Sequence, residues 1–355
     1  MDIAEFGLER WFGQYEHGAD VMLAESGIRP LDSSRFDTDP GALNYVIPTD
    51  GDPEFRAEVG ERYGRGPEEV CFTCGTQEAN LLVFLSLLDE GDHAVVVTPT
   101  YQALQAVPES LADVTTVDLR PPEWSLDVDA VADAMRDETR VVVLNNPNNP
   151  TGRYHDEAVV RELYDLAAAN DAYLLCDEVY RLLADEPLPP VASMGEHGIS
   201  TTSLTKAYGL AGLRFGWVAG PEEVVRDAVR WKDYTTISPS IFGQHVARQA
   251  LGEQEADILR ENRDLAATNR AIVREFVADH GLDWYDPVGV NGFVTVPDGF
   301  ADGREFCIRV VEDESVVLAP GDLFGFDDYW RLGFGLPTAE LEDGLERVSR
   351  VVRSA

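Results

Sequence analysis

The sequence predicts an α/β protein built on a mostly parallel sheet with helices on both faces. Three observations predict it. Between residues 70 and 220, short β-branched runs alternate with amphipathic stretches at helical period. The runs are nearly continuous in apolar residues rather than alternating, as strands covered on both faces require. A chain of 355 residues, 44% of them hydrophobic, can bury one large core and a second smaller one.

Taken in order, the strand-like runs are VCFT near 70, HAVVVTP at 93–99, VTTVDL at 114–119, RVVVLNN at 140–146, AYLLCD at 172–177, ISTTSL at 199–204 and FGWVAG at 215–220. Helical patterns fill the gaps, for example EAVVRELYDLAAAN at 157–170. No GxGxxG opens any of these helices, which argues against a dinucleotide site. Residues 254–281 read as one long helix ended by glycine, a connector between domains. Residues 282–355 carry short strands (GFVTVP, WRLGFG) and a final helix, a smaller α+β unit. The expected division is an N-terminal arm over 1–45 packing on that unit, a large domain over 46–255 and a small domain over 256–355.

Acidic residues number 65 against 28 basic ones, a net charge of −37. The acids are spread along the whole chain, which predicts a hydrated, salt-adapted surface rather than a binding tail. Such a surface repels phosphate backbones, so no nucleic-acid partner is expected. No apolar run approaches the roughly 20 residues needed to span a bilayer. The opening MDIAEFGLERWF has acids and no apolar core, so the expectation is a cytoplasmic protein without a secretory signal. Only two lysines occur, Lys206 and Lys232; every other basic residue is arginine. Cys71 and Cys74 form a Cys-x-x-Cys pair, but at the end of a strand, where i and i+3 face opposite sides. With no second pair or histidine cluster, they are read as core or loop thiols, and no metal is expected.

Ligands on open α/β sheets bind beyond the carboxyl ends of strands. Four strands here end in residues with specific chemistry. RVVVLNN runs into NNPNNPTG, with Asn149; AYLLCD ends in Asp177, followed by Tyr180; ISTTSL runs into TKAYG, with Lys206; and the strand before residue 75 runs into GTQEAN, which opens an apolar helix. Singly, each has an ordinary reading as a turn, a cap or a solvated side chain. Together with Arg214, eight residues after Lys206, they form one constellation.

That constellation resembles the class I/II aminotransferases of the pyridoxal-phosphate fold type I superfamily, over almost the whole chain. The resemblance rests on Tyr45 with GDPEFR, GTQEA at 75–79, PTYQ at 99–102, NNPTG at 148–152, DEVYR at 177–181, SLTKAYGLAGLRFGW at 203–217 and RLGFGLP at 331–337. It implies pyridoxal 5′-phosphate held by Lys206 as a Schiff base, with the same amine then shuttling a proton. An amine of lowered pKa suits both tasks. Asp177 is implied at the pyridine nitrogen, Asn149 and Tyr180 at the phenolic oxygen, and Tyr101 on the ring face. The phosphate is implied at the helix start, with Gly75 allowing close approach to Thr76 and Gln77, and with Ser203 and Arg214 as further donors. Thr205 ranks below Ser203. Arg331 is implied as the clamp for the substrate carboxylate, with Gly27 and Asn149 beside the substrate. Tyr45 resembles a tyrosine reaching a neighbouring subunit's phosphate, which implies a homodimer with a shared active site. Lys232, at the end of an amphipathic helix, is expected only to complement the helix dipole.

The expected reaction is transfer of an amino group from an L-amino acid to a 2-oxo acid. The alternative is another reaction of the same fold, β-elimination at a C–S bond or cyclisation. LAESGIRPLD at 23–32 and the PTDGDPEF turn depart from the general aminotransferase pattern and are faintly similar to capreomycidine synthase, a cyclising relative. Arg29 and Arg181 are candidates for a second clamp on an acidic substrate side chain, against surface ion-pair roles. A cofactor-bound DNA regulator is disfavoured, because no basic recognition helix is present.

Overall fold

The structure is a computed structural model describing residues 2–354. Seven strands form the central sheet: β1 (Val70–Thr73), β2 (His93–Thr98), β3 (Asp113–Asp118), β4 (Thr139–Asn145), β5 (Tyr173–Asp177), β6 (Gly198–Ser203) and β7 (Gly216–Ala219). Their spatial order is β1-β7-β6-β5-β4-β2-β3. β3, β2, β4, β5 and β6 run parallel, while β7 is antiparallel to both of its neighbours.

The apolar continuity of the strands has the expected cause. Val96 and Val143 face one cluster, with Val83, Phe84 and Leu104. Val95, Val97, Val142 and Leu144 face another, with Val160, Leu163 and Trp124. Successive side chains thus bury against opposite helical layers. At the β1–β7 edge, Phe55, Phe72 and Phe215 pack with ring centroids 4.9 to 5.9 Å apart.

The long connector is a 25-residue helix, α1 (Glu255–Asp279), followed by Gly281 in the left-handed region at φ +62°. Beyond it, Asn291–Thr295, Tyr329–Gly333 and Ala319–Pro320 make a three-stranded antiparallel sheet. Helices Gly303–Glu314 and Thr338–Ser354 pack on one another beside it.

The N-terminal segment, expected as an arm, contains a nine-residue helix (Gly7–Tyr15) that buries Leu8 and Trp11. The Trp11 indole donates to the Leu318 carbonyl at 2.7 Å, and Val21–Met22 pairs in parallel with Val316–Val317. Segment 23–29 then lies against the strand that carries Arg331: the Gly333 amide donates to the Leu23 carbonyl at 2.6 Å and the Arg29 amide to the Gly335 carbonyl at 2.7 Å. Among the described residues, no helix is long and apolar enough to cross a membrane. Cys71, Cys176 and Cys307 are buried thiols, Cys74 is half-buried, and none is in a disulfide.

Candidate active site

β4, β5 and β6 bring their carboxyl ends together in register. Asn145 pairs with Asp177, and Asp177 with Thr201. Over these ends lies a cavity of about 190 Å³ whose wall includes Thr76, Gln77, Tyr101, Asn149, Asp177, Tyr180, Ser203, Lys206 and Arg214. Nine of the residues singled out in the sequence thus share one wall.

Within that wall Asp177 is buried. Burial pushes its carboxyl up to about 6, against the pull of the Asn80 amide and the Val179 backbone N–H, which both donate to it. The Asn80 amide nitrogen lies 2.9 Å from Asp177 Oδ2, and its oxygen accepts from Thr201 Oγ1 at 2.5 Å. Asn80 was missed in the sequence. Its signal was an amide embedded in the apolar run ANLLVFL one turn beyond Thr76, where only a buried partner would satisfy it.

Another part of the wall offers donors to an anion. The 13-residue helix Gly75–Leu87 presents its amino terminus to the cavity. Thr76 Oγ1 is buried there without a partner. Arg214 adopts the left-handed conformation at φ 51°, which costs an arginine about 1–2 kcal/mol. The bend carries its guanidinium over Gly75: a Cβ at Gly75 would lie 2.8 Å from Arg214 Nη2, and Gly75 itself sits at φ +76°. Glycine is therefore favoured twice over, by conformation and by the place of the guanidinium.

Lys206 lines the same cavity. Its Nζ donates to Glu25 Oε1 at 2.9 Å and to Ser26 Oγ at 3.3 Å. Burial lowers the amine's pKa, but the Glu25 carboxylate and Tyr180 more than offset it and hold the amine above its ordinary value. This corrects the expectation of a lowered pKa. Glu25 is held below the usual carboxylate range, chiefly by the Lys206 charge. Neither Glu25 nor Ser26 was singled out from sequence, because a loop glutamate among 65 acids carries no local mark. Thr205, ranked second to Ser203, also lines the cavity.

Arg331 is wholly buried behind Asn149 rather than in the cavity wall. Its Nη1 donates to Asn149 Oδ1 at 2.9 Å and its Nη2 to the Ala24 carbonyl at 2.6 Å, while Nε has no partner. Gly27 lines an adjoining cavity with Glu25 and Arg29. Tyr45 stands 76% exposed on the surface, outside the cavity wall. Arg181 is engaged by Glu178 at 3.2 Å and the Leu188 carbonyl at 2.8 Å, so it stays out of the site. Lys232 is the last residue of helix Glu222–Lys232, as read, but it does more than complement the helix dipole: the side chain is fully buried, 3.3 Å from Glu78 Oε2 and bonded to Thr236.

The model of the family "Aminotransferase class I and II" matches residues 14–348. The chain belongs to this family. Its cofactor is pyridoxal 5′-phosphate, and the residues present fit it: an unpartnered hydroxyl and a guanidinium at a helix start for the phosphate, a buried acid for the ring nitrogen, and an amine on the same cavity wall. The chain is 34% identical to capreomycidine synthase from Streptomyces vinaceus, over 98% of this chain and 88% of that protein. It is 28% identical to the aspartate/prephenate aminotransferase of Thermus thermophilus, over 89% and 85%. Among solved structures, a PLP-dependent aminotransferase from Streptococcus suis superposes with a TM-score of 0.94 at 32% identity, covering 100% of this chain and 99% of the other. The PLP-dependent cyclase OrfR superposes with a TM-score of 0.90 at 27% identity, over 100% and 98%.

Proposed function

We propose that the protein is an aminotransferase that moves an amino group from an L-amino acid to a 2-oxo acid, with Lys206 carrying the cofactor as a Schiff base. The observation that carries this reading is that the Lys206 amine, the Asp177 carboxylate and the start of helix Gly75–Leu87 line one cavity. Bound, the cofactor supplies an electron sink for charge released at the substrate α-carbon.

The remaining chemistry falls to side chains. Asp177, oriented by Asn80, holds a proton at the ring nitrogen. Asn149 and Tyr180 donate to the ring oxygen, and Tyr101 covers a ring face. Thr76, Gln77, Ser203 and Arg214 hold the phosphate. Arg331 draws the substrate carboxylate towards Asn149, and Lys206 Nζ takes and returns the proton at the α-carbon. For that last step the amine must become neutral, so its contact with Glu25 must loosen once substrate is bound.

Cyclisation or β-elimination on the same residues is the second reading. It is favoured by the 34% identity to capreomycidine synthase and by Glu25 in the LAESGIRPLD segment. We infer further that the enzyme is a homodimer with a shared active site. Leu43, Tyr45 and Ile47 are 68–82% exposed, and their segment is tied through Asp52 and Gln244 to helix Ile241–Ala250, where Phe242 is 45% exposed. The net charge of −37 supports a salt-rich, cytoplasmic setting.

The test mixes each amino acid with cofactor-loaded enzyme. Release of one equivalent of 2-oxo acid without ammonia establishes transamination; ammonia, or a cyclised product, selects the second reading. Borohydride should fix the cofactor to Lys206, found by peptide mapping. A Lys206→Ala variant that is still covalently labelled would remove Lys206 from its role.

A further inference from the structure

Glu25 is the group that neither the cofactor nor the amino-transfer chemistry requires. Its carboxylate lies 2.9 Å from Lys206 Nζ, accepts from the Gly27 backbone N–H and feels the charge of Arg331. A substrate whose amine took the place of Lys206 at the cofactor would come close to Glu25, which lies 2.9 Å from that nitrogen. Its side chain is also 55% exposed and borders a second cavity of about 230 Å³ that adjoins the first. Met22, Ile28 and Leu336 supply apolar walls there, and Glu16 and Glu340 add negative charge. The one cation on that wall, Arg29, has Glu261 3.9 Å away. Against Arg29 stand three carboxylates, Glu16, Glu25 and Glu340, so the charge of that wall is net negative. Apolar walls with a carboxylate at the mouth suit a chain of methylenes ending in a positive charge.

We propose that Glu25 selects amino-acid substrates with a cationic side chain, an ammonium or a guanidinium, at the mouth of the active site. The proposal rests on the cofactor-dependent reading above. It also accounts for the contact between Glu25 and Lys206. A substrate that brings its own cation to Glu25 replaces Lys206 as the carboxylate's partner and releases the amine to take a proton. A neutral side chain leaves Lys206 engaged. Selection therefore acts on turnover as well as on binding.

Two isosteric pairs test it: L-arginine against L-citrulline, and L-ornithine against L-norleucine. Each is titrated into cofactor-loaded enzyme, reading Kd from the change in visible absorbance and kcat from product release. The cation of each pair should bind about 10- to 100-fold more tightly, the range of a hydrogen bond to a charged group. In Glu25→Gln, with cofactor content unchanged, both ratios should fall to within about 3-fold of unity. Equal binding within the pairs in the parent enzyme, ratios that survive Glu25→Gln, or no response to any of the four would each overturn the proposal. Failure to take up cofactor at Lys206 would instead defeat the underlying reading, and it is scored separately by borohydride labelling.

Discussion

Asp177→Asn should stabilise the cofactor-free protein at neutral pH while removing the acid the cofactor needs. Burial raises the Asp177 carboxyl from an ordinary value of 3.8 to about 6. A carboxyl whose folded pKa is raised contributes stability below its unfolded pKa and loses it as pH climbs through the folded one. Between pH 4 and pH 7 that loss is about 2–3 kcal/mol, from about 1.4 kcal/mol per pKa unit. Asparagine does not titrate, so the stability of wild type relative to the variant should fall by that amount across the window. Part of the gain is offset at every pH. Asn80 and the Val179 N–H donate to opposite carboxyl oxygens, and an amide offers only one acceptor, at a cost of about 1–2 kcal/mol. The variant should therefore be the less stable protein at pH 4 and the more stable by about 1 kcal/mol at pH 7. The assay is denaturant unfolding of both stripped proteins at half-unit pH steps and fixed salt. A wild-type-minus-variant difference that stays flat from pH 4 to 7 would refute the reasoning.

Gly75→Ala should cost the fold only about 1–2 kcal/mol, because the Arg214 guanidinium can yield, but moving that guanidinium should weaken cofactor binding at least about 10-fold. Unchanged affinity in an absorbance titration would take Arg214 out of the phosphate site. Lys232→Met leaves Glu78 buried without its cation and should destabilise by about 3 kcal/mol, with more than half recovered in Lys232→Met/Glu78→Gln; a single variant costing under about 1 kcal/mol in denaturant contradicts the burial argument. Given the excess of 65 acids over 28 bases, Tm should rise steadily with KCl into the molar range, and a flat profile by calorimetry would exclude salt adaptation.

Much of the fold was legible because burial on both faces writes itself into a strand as unbroken valine and leucine, as in β2 and β4. Strand direction was not. FGWVAG reads like the others, yet β7 runs against its neighbours, since an apolar run does not encode the sense of its pairing. In the site, Lys206, Asp177, Asn149 and Arg214 were legible from their positions at strand ends. Asn80 could have been read, as an amide inside an apolar helix. Glu25 could not: what sets it apart is its distance to an amine 181 residues away. The same holds for Lys232, whose partner Glu78 lies 154 residues back in the chain.

The two lysines make a final physical point about this composition. In a chain that otherwise uses arginine as its base, both are buried away from the acidic surface: Lys232 entirely, and Lys206 with 19% of its side chain exposed. Neither position suits a guanidinium. At 206 the chemistry needs a nitrogen that can lose its charge and act as a nucleophile, which arginine cannot do at any working pH. At 232 the space holds the Glu78 carboxylate and the Thr236 hydroxyl, two acceptors that suit a compact ammonium better than a fork of five planar donors. Where the surface gives no reason to choose lysine, each lysine that remains marks a place where a compact ammonium or a free amine is required.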